Sequence, residues 1–187
     1  DGQFPREGTA ALTEAGLMGL TVSPERGGTG PDPVGFAEVM SAVASECGST
    51  AMVFLMHHAA TAVVATAPPE FDPGLVEALA TGAKLGTLAF SEKGSRSHFW
   101  APVSKALADG DHIHLSGFKS WVTSANEADV FVASCGALEG EGPTDSDLWV
   151  LDASTPGLAP AGSWKGLGLR GNDSGPMAME VDVTADR

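Results

Sequence analysis

Positive charge is what this sequence is shortest of: ten lysines and arginines face 24 aspartates and glutamates in 187 residues, a formal net charge of −14. Binding to nucleic acid or to an anionic membrane surface calls for clustered Lys and Arg, so both are excluded as expectations. The acidity itself reads as a solubility feature. Cysteine is nearly absent. Cys47 and Cys135 lie far apart without metal-type spacing, and they read as small buried hydrophobes of a reducing compartment rather than a disulfide. No uninterrupted apolar run reaches the roughly 18 residues of a membrane span. Ala51 to Ala67 comes nearest, but His57, His58, Thr61 and Thr66 interrupt it. A signal peptide is missing, and a chain that begins at Asp1 without Met reads as a fragment or a processed chain. There is no P-loop, no G-x-S-x-G elbow and no dinucleotide G-x-G-x-x-G after a strand; Gly166-x-Gly168 fails because no helix pattern follows it.

What is present is a globular composition, 43% apolar and 18% charged, long enough for one or two domains. Pro5 to Ala15 carries a short helical pattern stopped by Gly16, and the Gly- and Pro-rich stretch 23–33 reads as loop. Val34, Phe36, Val39, Met40 and Val43 then fall at helical spacing up to Cys47-Gly48. Ser49-Thr50 is the expected cap of a second helix reaching Val64, apolar on nearly every side and therefore buried; Pro68 and Pro69 break it. A third helix is expected from Pro73 to Thr81.

From Lys84 the period changes to short β-type runs: 85–90, 103–107, 112–122, 130–134, 148–151 and 177–183. Asp109-Gly110-Asp111 is a hairpin signal, and 136–146 reads as an exposed polar loop. Helices first and strands afterwards make an α+β chain: an all-α N-terminal domain, 1–83, then an antiparallel β-barrel or sandwich domain, 84–187.

Candidate chemistry is sparse. His57 and His58 are adjacent on a helix, about 100° apart, which suits packing better than a one-face metal pair. His112 and His114 share a strand face but read as solvent-facing, and Asp109, Asp111, Asp145 and Asp147 read as turn carboxylates. Two stretches stand out. Leu88-Ala89-Phe90 opens into the polar loop Ser91-Glu92-Lys93-Gly94-Ser95-Arg96-Ser97, and Gly117-Phe118-Lys119-Ser120-Trp121-Val122-Thr123 is a strand end presenting an aromatic and a hydroxyl. Strand ends with polar loops are common seats for flat ligands. By residue chemistry alone, a core Trp with an outward Thr explains the second stretch as well.

These residues resemble the acyl-CoA dehydrogenase family. The Ser91–Ser97 loop is similar to its Thr-Glu-Pro-Gly-Ala-Gly-Ser loop, and Gly117–Thr123 to its Gly-x-Lys-x-Trp-Ile-Thr strand. Gly166-Leu167-Gly168-Leu169-Arg170 resembles its Gly-x-Arg turn. Gly16-Leu17-Met18-Gly19-Leu20 and Pro24-Glu25-Arg26-Gly27-Gly28-Thr29-Gly30 resemble its N-terminal entry. The resemblance implies FAD held by Leu88, Phe90, Ser91, Ser97, Trp121, Val122 and Thr123, with Ser97, Arg96 and His98 toward an acyl-CoA thioester. Lys93 and Arg96 stand where the family usually carries Pro and Gly, and His98 replaces a common Asp. Those cations suit an anionic ligand such as a CoA phosphate, or are solvated surface charges. Phe99-Trp100 either shapes an acyl pocket or covers a domain seam.

The implied reaction takes the α-proton with a Glu and the β-hydride with the flavin, leaving a trans-2-enoyl-CoA. That Glu belongs to a C-terminal helical domain expected beyond Arg187, so no catalytic base is assigned. An electron-transfer flavoprotein or similar acceptor, a cytoplasmic location, a role in fatty acid metabolism and a homo-oligomer when full length are implied as well. Two other readings stay open: a flavin monooxygenase on the same scaffold, and a non-catalytic truncated module that binds flavin or acyl-CoA.

Overall fold

Four helices open the chain in the computed structural model, which describes residues 2–68, 70–95, 98–140 and 142–184. Helix α1 (Arg6–Glu14) begins after Pro5, as the Pro-first pattern predicts. Helix α2 (Pro33–Glu46) has Pro at its first position and is capped by Asp32, whose carboxylate accepts the Gly35 N–H at 2.9 Å. Helix α3 (Gly48–Val64) buries nine of its residues, including Phe54, His57, His58 and Val64, in keeping with its all-round apolar surface. Its expected Ser49-Thr50 cap is not the cap: both residues lie within the first turn, and Cys47 is at once the C-cap of α2 and the N-cap of α3. Ser49 instead accepts the Gly171 N–H with its hydroxyl at 3.2 Å, a tertiary partner that takes the group away from local capping. Helix α4 (Leu75–Ala80) completes the layer, and the 23–33 loop contains one 3-10 turn, Pro24–Arg26.

Seven strands follow: β1 (Gly86–Ala89), β2 (Lys105–Asp109), β3 (His112–Val122), β4 (Val130–Gly136), β5 (Ser146–Asp152), β6 (Leu158–Pro160) and β7 (Gly175–Val183). The three-residue β6 leaves no alternation to read in sequence. Strands β1-β4-β5 form one sheet and β2-β3-β7-β6 the other, so the β unit is a sandwich of two open sheets and not a closed barrel. Every strand pair is antiparallel except β1 with β4. The hairpin signal is realised, with Asp109 opposite His112 and Gly110 at φ 59°, a glycine-first two-residue turn.

Alternation on the sheets then explains three layers. Phe131, Ala133, Trp149 and Leu151 meet Leu115, Met177, Met179 and Val181 between the sheets. Val130, Val132 and Val150 project from the other face onto Val64, Val76 and Leu79 of the helices. Strand β4 is therefore covered on both faces, which accounts for its nearly unbroken apolar run. Each fully buried side chain of this kind contributes roughly 1.5–3 kcal/mol. A separate cluster around Phe54 binds α2 to α3, with Phe36 stacked on Phe54 at 5.8 Å. No helix among the described residues is long and apolar enough to cross a membrane.

Candidate functional site

The inward positions of β3 are Ile113, Leu115 and Lys119, two residues or multiples of two apart; the next buried residue is Val122, three further on. The pairing with β7 shows the reason. Lys119 opposes Met177 and Val122 opposes Gly175, so β3 carries one extra residue here, a β-bulge. The extra residue reverses the in–out phase. Trp121, which strict alternation would send into the core, turns outward and is 60% exposed, while Val122 takes the interior at 0%.

At the bulge β3 leaves β7 for the loop after β1. Ser120 N–H donates to Ser91 O at 2.7 Å, and Glu92 bridges to Lys119. Beneath that bridge lies a buried ion pair, Lys119 Nζ to Glu92 Oε1 at 2.5 Å, with side-chain exposures of 1% and 0%. The Glu92 carboxylate also accepts Val103 N–H, Ser104 N–H and the Ser104 hydroxyl, and Lys119 also donates to Ser134 O at 2.5 Å. Burial pushes the Glu92 carboxyl up, but the hydrogen bonds from Lys119 and Ser104 outweigh it and leave its pKa below the usual value. Gly117 is part of the same construction, because a Cβ there would collide with the Ser104 side chain.

A third stretch closes the site from the other side. Trp164 meets Trp121 edge-on at 5.7 Å and donates its indole N–H to Leu169 O at 2.8 Å. Ser124 N–H and Ala125 N–H donate to Asn172 O and Asp173 O, and the Thr123 and Ser174 hydroxyls lie 3.0 Å apart. Among the described residues the non-glycine residues with positive φ are Ser124 (59°), Leu169 (51°) and Asp173 (50°), all in these two stretches. Left-handed backbone costs about 1–2 kcal/mol per residue, so this turn is held against its local preference by tertiary bonds. The Asn172 side-chain oxygen is buried and has no hydrogen-bond partner among the described residues. A groove of about 950 Å³ lies next to the turn, with Arg6, Cys47 and Arg170 on its walls.

Comparison with known proteins identifies this scaffold. The family model for the acyl-CoA dehydrogenase N-terminal domain matches residues 1–83, and that for the acyl-CoA dehydrogenase middle domain matches residues 87–181. The chain belongs to the acyl-CoA dehydrogenase family. It is similar to a probable acyl-CoA dehydrogenase, YngJ, of Bacillus subtilis, 29% identical over 96% of this chain and 48% of the relative. It is also similar to the human mitochondrial short-chain specific acyl-CoA dehydrogenase, 29% identical over 95% of this chain and 43% of the relative. The chain thus spans less than half the length of these curated relatives. Among solved structures, a probable acyl-CoA dehydrogenase from Mycobacterium abscessus superimposes with a TM-score of 0.87 at 25% identity, covering 99% of this chain and 50% of that one. An acyl-CoA dehydrogenase complexed with FAD from Bacillus anthracis does so with 0.83 at 25%, covering 97% and 32%.

Two of the family-like motifs, the loop after β1 and the Gly117–Thr123 strand, meet at the bulge, but not every residue in them faces the same way. Leu88 and Phe90 project onto the helical cluster, leaving only their backbone on the site side. Val122 is a core residue. Ser91 is half-buried and its hydroxyl makes no hydrogen bond among the described residues. Thr123 is 6% exposed; its carbonyl accepts the Thr87 hydroxyl at 2.7 Å. His98 is exposed and stacks on Trp100 at 5.1 Å, while Phe99 lies along Phe90 at 6.5 Å. Arg96 and Ser97 lie outside the described residues. Sequence reasoning missed Glu92, Ser104, Lys119 and Ser174; a charged residue at an inward strand position, Lys119, is the one signal that pointed to a buried pair.

Other expectations are corrected. Cys135 is buried, but Cys47 is exposed, and hydrogen bonds from Thr50 hold its thiol below the usual value. His114 faces solvent as expected but is not without partners: the β3–β7 register sets it opposite Asp182, and its ring nitrogens contact Asp182 at 2.8 Å and Glu180 at 3.2 Å. No group of three or more potential metal ligands occurs among the described residues. Of the expected turn carboxylates, Asp145 accepts Gly142 N–H within its loop, whereas Asp147 lies in β5 and accepts Leu138 N–H from the strand.

Proposed function

We propose that this chain is the N-terminal helical domain (1–83) and middle β domain (84–187) of an FAD-dependent acyl-CoA dehydrogenase, which converts an acyl-CoA thioester to a trans-2-enoyl-CoA. The observation that carries the reading is the bulge that turns Trp121 outward beside Ser91. The residues fit a flat ring with polar edges: Trp121 offers an open aromatic face, and Ser91 offers an unused hydroxyl. Thr123 offers a second hydroxyl proton whenever Ser174 is the donor in their pair. FAD, when bound, supplies the hydride acceptor.

In this reading Trp121 and Trp164 shield one side of the cofactor from water. Ser91 and Thr123 orient it, and the peptide groups at 88, 90 and 122 bound its seat. Ser97, Arg96 and His98 are the candidate contacts to the acyl-CoA by family resemblance, and the added cations Lys93 and Arg96 suit its phosphates. The base that takes the α-proton belongs to a C-terminal helical domain outside these residues. Electrons pass on to an electron-transfer flavoprotein or a similar acceptor, and the protein works as a cytoplasmic homo-oligomer in fatty acid metabolism. The test is anaerobic titration of the full-length protein with a panel of acyl-CoAs. Bleaching of bound flavin with stoichiometric enoyl-CoA supports the reading. Flavin that stays oxidised, or product formed only with oxygen and a reductase, overturns it.

A further inference from the structure

We infer that the buried Glu92–Lys119 pair and the bulge beside it are a positioning device that sets where Trp121 and Ser91 stand relative to each other. The inference rests on the flavin reading above and adds to it two residues that touch no ligand. Its basis is the way β3 changes partners. Lys119 is the last inward residue before the extra one, and from there its ammonium reaches both Glu92 in the site loop and Ser134 O on β4. The opposite sheet, the site loop and β3 are thereby tied at one point. Ser120 N–H, which the bulge takes out of the β7 ladder, is satisfied by Ser91 O, the peptide next to the proposed ligand. Val103 and Ser104 complete the Glu92 shell, so the carboxylate has four donors and one orientation.

The alternative strand geometry shows what the tie prevents. Without the extra residue Trp121 would fall in the inward phase, at the depth where Val122 is now 0% exposed. An indole does not fit a valine-sized site without overpacking. The strand end therefore has two states, bulged with Trp121 outward or straight with a strained core. The ion pair favours the first, since only there does Lys119 meet Glu92 while Ser120 meets Ser91. Buried pairs that serve stability alone are often replaceable by apolar residues without loss. A positioning pair is not, and that difference is measurable.

The experiment compares full-length wild type with Lys119→Arg, Lys119→Met, the double variant Glu92→Gln/Lys119→Met, and Ser104→Ala. FAD affinity is read by quenching of FAD fluorescence, ring environment by visible circular dichroism of the bound flavin, and folding by thermal unfolding. The double variant is expected to unfold cooperatively yet to bind FAD about tenfold more weakly or worse, the equivalent of one displaced charged hydrogen bond. Its flavin dichroism should change, and Lys119→Arg should restore both signals in part. If the double variant does not fold, Ser104→Ala, which removes one of the four donors, should weaken FAD a fewfold with an altered dichroic band. Wild-type affinity and dichroism in whichever variant folds overturn the positioning role and leave the flavin reading standing. Wild type that takes up no FAD overturns both.

Discussion

Stability should fall steeply as pH drops from 6.5 toward 4, and two adjacent histidines supply the slope. His57 and His58 lie inside α3 at 0% and 2% exposure. Their tautomers follow from their partners. Gly86 N–H donates to His57 Nδ1 at 3.1 Å, so the ring proton is on Nε2, which donates to Met18 O at 3.2 Å. His58 Nε2 donates to Leu17 O at 3.1 Å, and its Nδ1 pairs with the Thr21 hydroxyl at 3.2 Å. Both rings use both nitrogens in the neutral form, and a second proton on His57 would face the Gly86 N–H. Burial pushes each pKa from 6.5 down to about 4. A depressed histidine pKa means that the unfolded chain takes up protons first. The stabilisation is complete above 6.5 and is lost as pH falls toward 4. Each shift corresponds to roughly 3 kcal/mol, a large part of a domain's 5–15 kcal/mol.

Other groups act elsewhere or in the opposite sense. Asp152, lowered to about 2 by Ser154, loses its contribution only below 3.8. His114 is raised by Asp182, so its contribution is present at low pH and lost as pH rises through the folded value; being exposed, it is screened. Urea unfolding followed by tryptophan fluorescence at pH 7.5, 6 and 5 checks the sum. A double His57→Gln/His58→Gln variant should start less stable but lose most of the slope between 6.5 and 4. Constant stability of the wild type from pH 7.5 to 5 would refute the argument.

Three further outcomes follow from the same contacts. Lys119→Met leaves Glu92 buried without its counter-charge and should cost about 3–5 kcal/mol in denaturant unfolding, with much of that recovered by adding Glu92→Gln. Trp121→Ala should change stability by less than about 1 kcal/mol because the ring is 60% exposed, while bound-flavin absorbance disappears. Gly117→Ala should cost about 1–3 kcal/mol, since its new methyl meets Ser104, and Ser104→Gly should return part of it in a double-mutant cycle.

The helices and most strands are legible in sequence because periodicity is local: α3 is apolar all round, and β7 alternates over nine residues. The site is legible in part. Its two motifs mark themselves by glycine, charge and hydroxyls, but nothing near Lys119 in the chain reveals that its partner lies 27 residues earlier. The Ser49-Thr50 cap misleads for the same reason, since Gly171, 122 residues from Ser49, claims the hydroxyl.

What the sequence alone determined is the class of each segment, the change from helix to strand near residue 84, the turn at Gly110 and the family-like motifs. All of these depend on residues within a few positions of one another. Only the tertiary structure decided the parallel pairing of β1 with β4, the choice of an open two-sheet sandwich over a closed barrel and the left-handed turn at Ser124 and Asp173. It alone decided the outward indole at 121, because strand phase depends on an extra residue that can be counted only against the partner strand. A strand's period is written in its own side chains, whereas its register and bulges are settled by what packs across from it.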